Sequence, residues 1–158
     1  MASTSDAELR SRRRADYLYF LPYRTRWSDN DQYAHVNNAV YYLFFDSIVN
    51  AYLIEHCGLA PPHSDLIGLV VSSHCQYFRP LSYPQVLDLA LRVNKLGKSS
   101  VTYEVGVFEE GKDKPAAVGG YTHVFVDNKS RKPAALDEKT RHGLQKLLRN
   151  PCSVSAKL

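Results

Sequence analysis

The chain has 158 residues, of which 44% are hydrophobic and 23% charged, and its net charge is +4. Those values suit one domain that buries a core without disulfide or metal staples, and so small a charge does not argue for nucleic acid. No apolar run reaches the length of a membrane span; the richest segment, Ala39 to Ile54, is broken by Asp46, Ser47 and Asn50.

Much of the positive charge lies in Arg10, Arg12, Arg13 and Arg14 and in the tail after Lys129, where it reads as solvated surface and suits an anionic small ligand equally well. Residues 1–16 are polar, without the apolar centre of a secretory signal, and are expected to form a disordered arm. Asp6 and Glu8 argue against a mitochondrial presequence, which avoids acids. Cys57, Cys75 and Cys152 are isolated and show no metal-ligand spacing, which favours a reducing compartment. Cys75 falls in a strand pattern and is expected to be core rather than nucleophile.

Tyr23, Thr25 and Trp27 alternate with Arg24 and Arg26, which predicts a strand with one buried face. Pro22 predicts a kink or an edge near its start. After the turn Ser28-Asp29-Asn30-Asp31 comes a helix capped by Asn37 or Asn38. Its apolar residues Tyr41, Phe44, Phe45, Ile48 and Tyr52 recur at helical spacing. Val40, Leu43, Val49 and Leu53 extend the apolar surface, so the helix is expected to be buried nearly all round, and Gly58 ends it. Four strand patterns follow. The first carries Val71, Ser73, Cys75 and Tyr77 on one face and stops at Pro80. The next two carry Leu87 to Val93 and Val101 to Val107, with a hairpin at Leu96-Gly97-Lys98-Ser99 between them. The last spans about Ala117 to Val126, after a turn near Gly111 to Lys114. A short helix over Asp137 to Leu148, interrupted by Gly143, closes the domain, which is taken as residues 17–150 with a flexible tail at 151–158. Short turns make the strands antiparallel, so the layout is α+β, one long helix against one curled antiparallel sheet.

Chemistry concentrates in Asp29 to Tyr41, where two acids, a histidine and two asparagines crowd a strand–helix junction. A helix start offers unpaired N–H groups and a positive dipole end, suited to an oxyanion or an anionic ligand. A carboxylate beside it can act as base or nucleophile toward a carbonyl. The same residues can also simply build the turn and cap the helix.

The pattern Asp-x-Asp-x-x-x-His-Val-Asn-Asn-x-x-Tyr, filled here by Asp29, Asp31, His35, Val36, Asn37, Asn38 and Tyr41, resembles the signature of the 4-hydroxybenzoyl-CoA thioesterase-like hotdog family. Tyr77-Phe78-Arg79-Pro80-Leu81 and Lys95-Leu96-Gly97-Lys98-Ser99-Ser100 are similar to the family too, and the likeness covers about Tyr23 to Val126. The resemblance implies a hotdog fold, with the helix wrapped by the sheet. It also implies a homodimer or homotetramer whose sheets join, with active sites at the subunit interface, and hydrolysis of acyl-CoA without a cofactor.

By that resemblance Asp31 is the catalytic carboxylate, as nucleophile or as base for water. The N–H near Asn38 polarises the thioester carbonyl, aided by a partner N–H near Ser72 or Ser73. Tyr41 completes the motif. Lys98 and Ser99 match a hairpin that meets coenzyme A phosphates; Lys95, Arg79 and Arg131 are further candidates. Phe44, Phe45 and Ile48 would line the acyl tunnel. His35 either orients water or Asp31, or caps the helix. Tyr33 stands where plant acyl-carrier-protein thioesterases carry Asn, so a mechanism needing that Asn does not transfer.

The ending Ala156-Lys157-Leu158 resembles a peroxisomal address of the Ser-Lys-Leu type, which implies the peroxisomal import receptor as a partner; the alternative location is the cytoplasm. Two other functions remain open: a hotdog hydratase or dehydratase, and a non-catalytic acyl-CoA-binding protein. A nucleic-acid binder would need a denser basic face with exposed aromatics.

Overall fold

The computed structural model describes residues 5–149. Cys152 and the Ala156-Lys157-Leu158 ending lie outside the described residues. In chain order the elements are α1 (Asp6–Arg10), β1 (Tyr19–Arg24), α2 (Val40–Cys57), β2 (Leu66–Tyr77), β3 (Val86–Leu96), β4 (Ser100–Glu109), β5 (Ala117–Asp127) and α3 (Glu138–Gln145). The five strands form one antiparallel sheet in the order β1-β3-β4-β5-β2, and α2 packs across its inner face. This is the expected α+β hotdog layout.

Helix α2 is the centre of the core. Phe44, Phe45, Ile48 and Val49 are fully buried against Leu87, Leu89, Leu91, Val105 and Val107 of the sheet. Each such side chain contributes roughly 1.5–3 kcal/mol of hydrophobic stabilisation. The helix is not buried all round, however: Tyr42, Leu43 and Ile54 stay exposed on one side. It ends as expected, with Gly58 left-handed at φ 75° and the N–H groups of Gly58 and Leu59 both reaching the Leu53 carbonyl. Against this same end of α2, Asp137 caps α3 through the Thr140 N–H at 2.7 Å. Gly143 is needed there because a Cβ would sit 2.6 Å from both Cys57 Sγ and the His56 carbonyl oxygen.

Three further expectations differ from the structure. Residues 5–16, read as part of a disordered arm, form α1 and a 3-10 turn packed on the outer face of the sheet. Leu9 is buried, and Arg12 donates to the buried Glu104 at 2.8 and 3.2 Å. A polar segment can dock because its arginines meet a carboxylate held inside the sheet face, a partner that composition does not reveal. The first strand ends at Arg24, not Trp27: the Asp29 carboxylate accepts from the Arg26 N–H at 2.8 Å and winds Trp27–Asp29 into a 3-10 turn, leaving Trp27 82% exposed. Finally, β2 slips register at Val71, so the simple alternation expected of Val71, Ser73, Cys75 and Tyr77 breaks at that bulge. Pro22 does lie on an edge strand, β1, where its missing N–H costs no ladder bond.

Candidate active site

The loop between β1 and α2 is built by side chains that replace backbone partners. Asp29 is almost fully buried, and both its oxygens accept from Arg26, through the N–H, Nε and Nη2. Its carbonyl takes the Asn37 N–H at 2.9 Å. Asp29 is therefore spent on the turn. Asp31 closes a tighter turn: its N–H donates to the His35 carbonyl and its own carbonyl accepts from the Ala34 N–H. Ala34 adopts φ 61°, a left-handed conformation that an alanine holds at a cost of about 1 kcal/mol, and Ser82 Oγ secures it by donating to the Ala34 carbonyl at 2.8 Å.

The Asp31 carboxylate is half-buried and lightly engaged. Oδ1 accepts from the Tyr33 N–H at 2.8 Å, and Oδ2 accepts from Asn37 Nδ2 at the longer distance of 3.4 Å. Beside it lies a cleft of about 240 Å³ lined by Trp27, Asn30, Asp31, Gln32 and Ala34. Asn37 works in two directions, because its Oδ1 also accepts the Ala39 N–H at 2.9 Å and so closes an Asx turn that leads into α2, whose N-cap residue is Ala39 and not the expected Asn37 or Asn38. One asparagine thus ties the carboxylate to the positive end of the helix. The Asn38 N–H has no acceptor among the described residues, while the Asn38 carbonyl is taken by Tyr77 Oη at 3.0 Å. An open N–H at a helix start, next to an accessible carboxylate, is an arrangement that can polarise a carbonyl and deliver a proton acceptor to it.

The second motif supports the first. Tyr77 holds the helix start, Leu81 accepts the Val36 N–H at 2.8 Å, and Ser82 braces Ala34 and Asn30. No local pattern signals these contacts, since the pairs lie far apart in the chain. Tyr41 is buried behind them, its ring 5.0 Å from that of Tyr77, and burial pushes its hydroxyl up to about 12. It packs the site rather than opening into it.

Other candidates are placed apart. The His35 imidazole is exposed and makes no hydrogen bond among the described residues; only its backbone takes part in the turn, so it neither orients Asp31 nor caps the helix. Asn37 holds the carboxylate and leads into the helix through its Asx turn. Arg79 is committed to Glu109 at 2.7 Å and to the Lys114 carbonyl, so its charge is already compensated. Lys98 and Ser99 sit in the β3–β4 hairpin at the far end of β3 from the Asp31 loop, with the Gly97 and Lys98 carbonyls gripped by Arg141. The eleven-residue length of β3 separates them from Asp31 within one chain by about 30 Å. Ser72 and Ser73 are exposed on β2, an edge strand, just past its bulge. Cys75 is half-buried, and burial pushes its thiol up to about 11, so it is not a thiolate nucleophile near neutral pH.

Residues 25–144 match the thioesterase-like superfamily, and the chain belongs to it. Its fold is similar to that of the PA5185 protein from Pseudomonas aeruginosa strain PAO1, with 49% identity over 87% of this chain and 96% of that one, and a TM-score of 0.85. A thioesterase-superfamily protein from Jannaschia sp. CCS1 shares the fold at 18% identity, covering 81% of each chain with a TM-score of 0.74. The uncharacterised protein YsmA of Bacillus subtilis strain 168 is 22% identical over 132 residues, which is 83% of this chain and 88% of YsmA.

Proposed function

We propose that this chain hydrolyses acyl-CoA thioesters to free acid and coenzyme A, with Asp31 as the reacting carboxylate. The observation that carries this reading is the pairing of a half-buried, lightly bonded Asp31 with the open Asn38 N–H, joined through Asn37. Water attacks the thioester carbon as Asp31 takes its proton, and the Asn38 N–H steadies the resulting oxyanion. The C–S bond then breaks, the carbonyl re-forms, and the proton returns from Asp31 to the departing thiolate. No further reactant is required.

The working unit in this reading is a homo-oligomer. β2 leaves one edge unpaired, and Leu69, Val70 and Val71 on it, with Tyr42, Leu43 and Ile54 on α2, are exposed apolar side chains of the sort a second copy covers. A two-fold partner joined there would bring its own Ser72, Ser73, Lys98 and Ser99 toward this chain's Asp31. Sedimentation of the wild type against Val70→Lys tests this, a monomeric wild type being the contrary result.

The activity is tested by thiol release from acyl-CoAs of graded length, comparing wild type with Asp31→Asn. Turnover of some member, reduced at least about 100-fold in the variant, is the expected outcome. Acyl-CoA binding without turnover across the whole series would instead make this a binding protein.

A further inference from the structure

Ala34, in the turn that Asp31 opens, is one of two non-glycine residues with a left-handed backbone among the described residues, at φ 61°. The other, Arg131, lies in the turn after β5, where its N–H returns to the Asp127 carbonyl at 2.8 Å. Ala34 is held from a distant part of the chain. The connection from β2 to β3 runs alongside the Asp31 loop, and Ser82 in that connection donates its hydroxyl to the Ala34 carbonyl at 2.8 Å. A hydroxyl has one proton to give, and the Tyr83 carbonyl is farther from it, at 3.3 Å. The same Ser82 oxygen accepts from Asn30 Nδ2 at 3.1 Å. Asn30 immediately precedes Asp31 and Ala34 closes its turn, so one hydroxyl grips the loop on both sides of the candidate reacting carboxylate.

That hydroxyl is aimed by a fixed frame. The Ser82 N–H donates to Gln85 Oε1 at 2.8 Å, and the Ser82 carbonyl accepts from Oγ1 of the buried Thr25. The Gln85 N–H returns to Thr25 Oγ1 at 2.8 Å. On one side of Ser82, the buried Leu81 takes the Val36 N–H; on the other, the Tyr83 N–H donates to Asn30 Oδ1 at 3.1 Å. What Ala34 controls follows from the turn. The Asp31 N–H bonds to the His35 carbonyl, and Tyr33, whose N–H holds Asp31 Oδ1, lies inside the loop so closed. An extended or right-handed Ala34 would carry the His35 carbonyl away and open that bond. A residue with a Cβ disfavours the left-handed state, so the turn stays shut only while something outside it pins the Ala34 carbonyl.

We propose, resting on the thioesterase reading above, that Ser82 is a positioning residue for Asp31: its hydroxyl keeps Ala34 left-handed and so fixes the direction from which the carboxylate meets the attacking water. Ser82 touches neither the water nor the thioester. Its removal leaves the Asp31 side chain and the contacts to substrate in being but lets the reacting atoms drift, and a misplacement of about 1 Å can cost as much as about 100-fold in rate. The loss falls on kcat rather than on KM.

The test measures acyl-CoA hydrolysis by Ser82→Ala in two backgrounds, the wild type and Ala34→Gly. Glycine takes a positive φ at no steric cost, so it needs no hydroxyl to keep the turn shut. In the alanine background Ser82→Ala should lower kcat about tenfold, with KM changed less than about twofold. In the glycine background the loss in kcat should be at most about threefold, since Asn30 keeps its bond to Tyr83. Ser82→Cys, a weak donor of similar shape, replaces the alanine variant if that does not fold. An unchanged kcat, a loss confined to KM, or an equal loss in the two backgrounds overturns the proposal and leaves the thioesterase intact. Amide exchange followed by NMR reads the same coupling without turnover: Ser82→Ala should speed exchange of the Asp31 and Tyr33 N–H groups at least about tenfold, and Ala34→Gly should remove most of that increase. Absence of all turnover by the wild type overturns the thioesterase, and exchange then decides alone. Faster exchange suppressed by Ala34→Gly supports Ser82 as the group that fixes Asp31, whereas unchanged exchange overturns it.

Discussion

Replacing Glu104 with alanine removes the acceptor of four hydrogen bonds: from Arg12 Nε and Nη2, Tyr17 Oη and Asn94 Nδ2, at 2.8 to 3.2 Å. The arginines do not leave with it. Arg92 is 5% exposed and Arg12 is also largely enclosed, so both charges lose their carboxylate while remaining inside. Breaking such a buried pair from one side costs about 3–5 kcal/mol. At about 2–4 °C per kcal/mol for a domain of this size, the melting temperature should fall by about 6–20 °C. Urea and thermal unfolding of wild type, Glu104→Ala, Arg12→Ala and the double variant measure both the loss and the coupling. A loss below about 1 kcal/mol, the range of solvent-exposed pairs, would refute the claim that this network fastens the N-terminal segment. The pH dependence has a definite sign. Burial alone would raise Glu104, but the bonds from Arg12 and Asn94 and the charges of Arg12 and Arg92 outweigh it, and its pKa lies below the ordinary 4.5. Its contribution is therefore fully present above pH 4.5 and is lost as pH falls through the lower folded value, so Glu104→Gln should unfold less steeply than wild type on acidification below pH 4.5.

Asn37→Ala should cost about 1 kcal/mol through the lost Asx-turn hydrogen bond ahead of α2, and should lower kcat more than it changes KM, because it also releases the Asp31 carboxylate. Gly143→Ala should destabilise by about 1–3 kcal/mol in urea, since the His56 carbonyl that its Cβ would meet is backbone and cannot swing aside. Burial pushes the Cys57 thiol up to about 11, so its peptide should take up maleimide slowly in the native protein and readily in denaturant, as mass spectrometry can follow. His123, held near 4 against 6.5 when unfolded, favours folding fully above pH 6.5 and progressively less as pH falls toward 4; His123→Phe should flatten that part of the stability profile, and an imidazole titration by NMR near 6.5 would contradict the assignment.

The local patterns carried the long helix, the alternating strands β3 and β4, the Asp137 and Gly58 caps and the Asp31 loop, because each depends on residues within a few positions of one another. The period of apolar side chains and the chemistry of Asn, Asp and Gly act at that range, and so does the motif that points to Asp31. Contacts between distant segments lie beyond it. Nothing near Arg12 announces Glu104, so a docked segment looked like a loose arm. Nothing near His35 shows that its imidazole turns to solvent while Asn37 takes the carboxylate. His123 reads as an ordinary strand residue until β4 and β5 stand side by side against α2. In sequence that side chain is merely polar-aromatic. Only tertiary packing, by shutting out water and supplying its Nδ1 no partner, holds its pKa near 4.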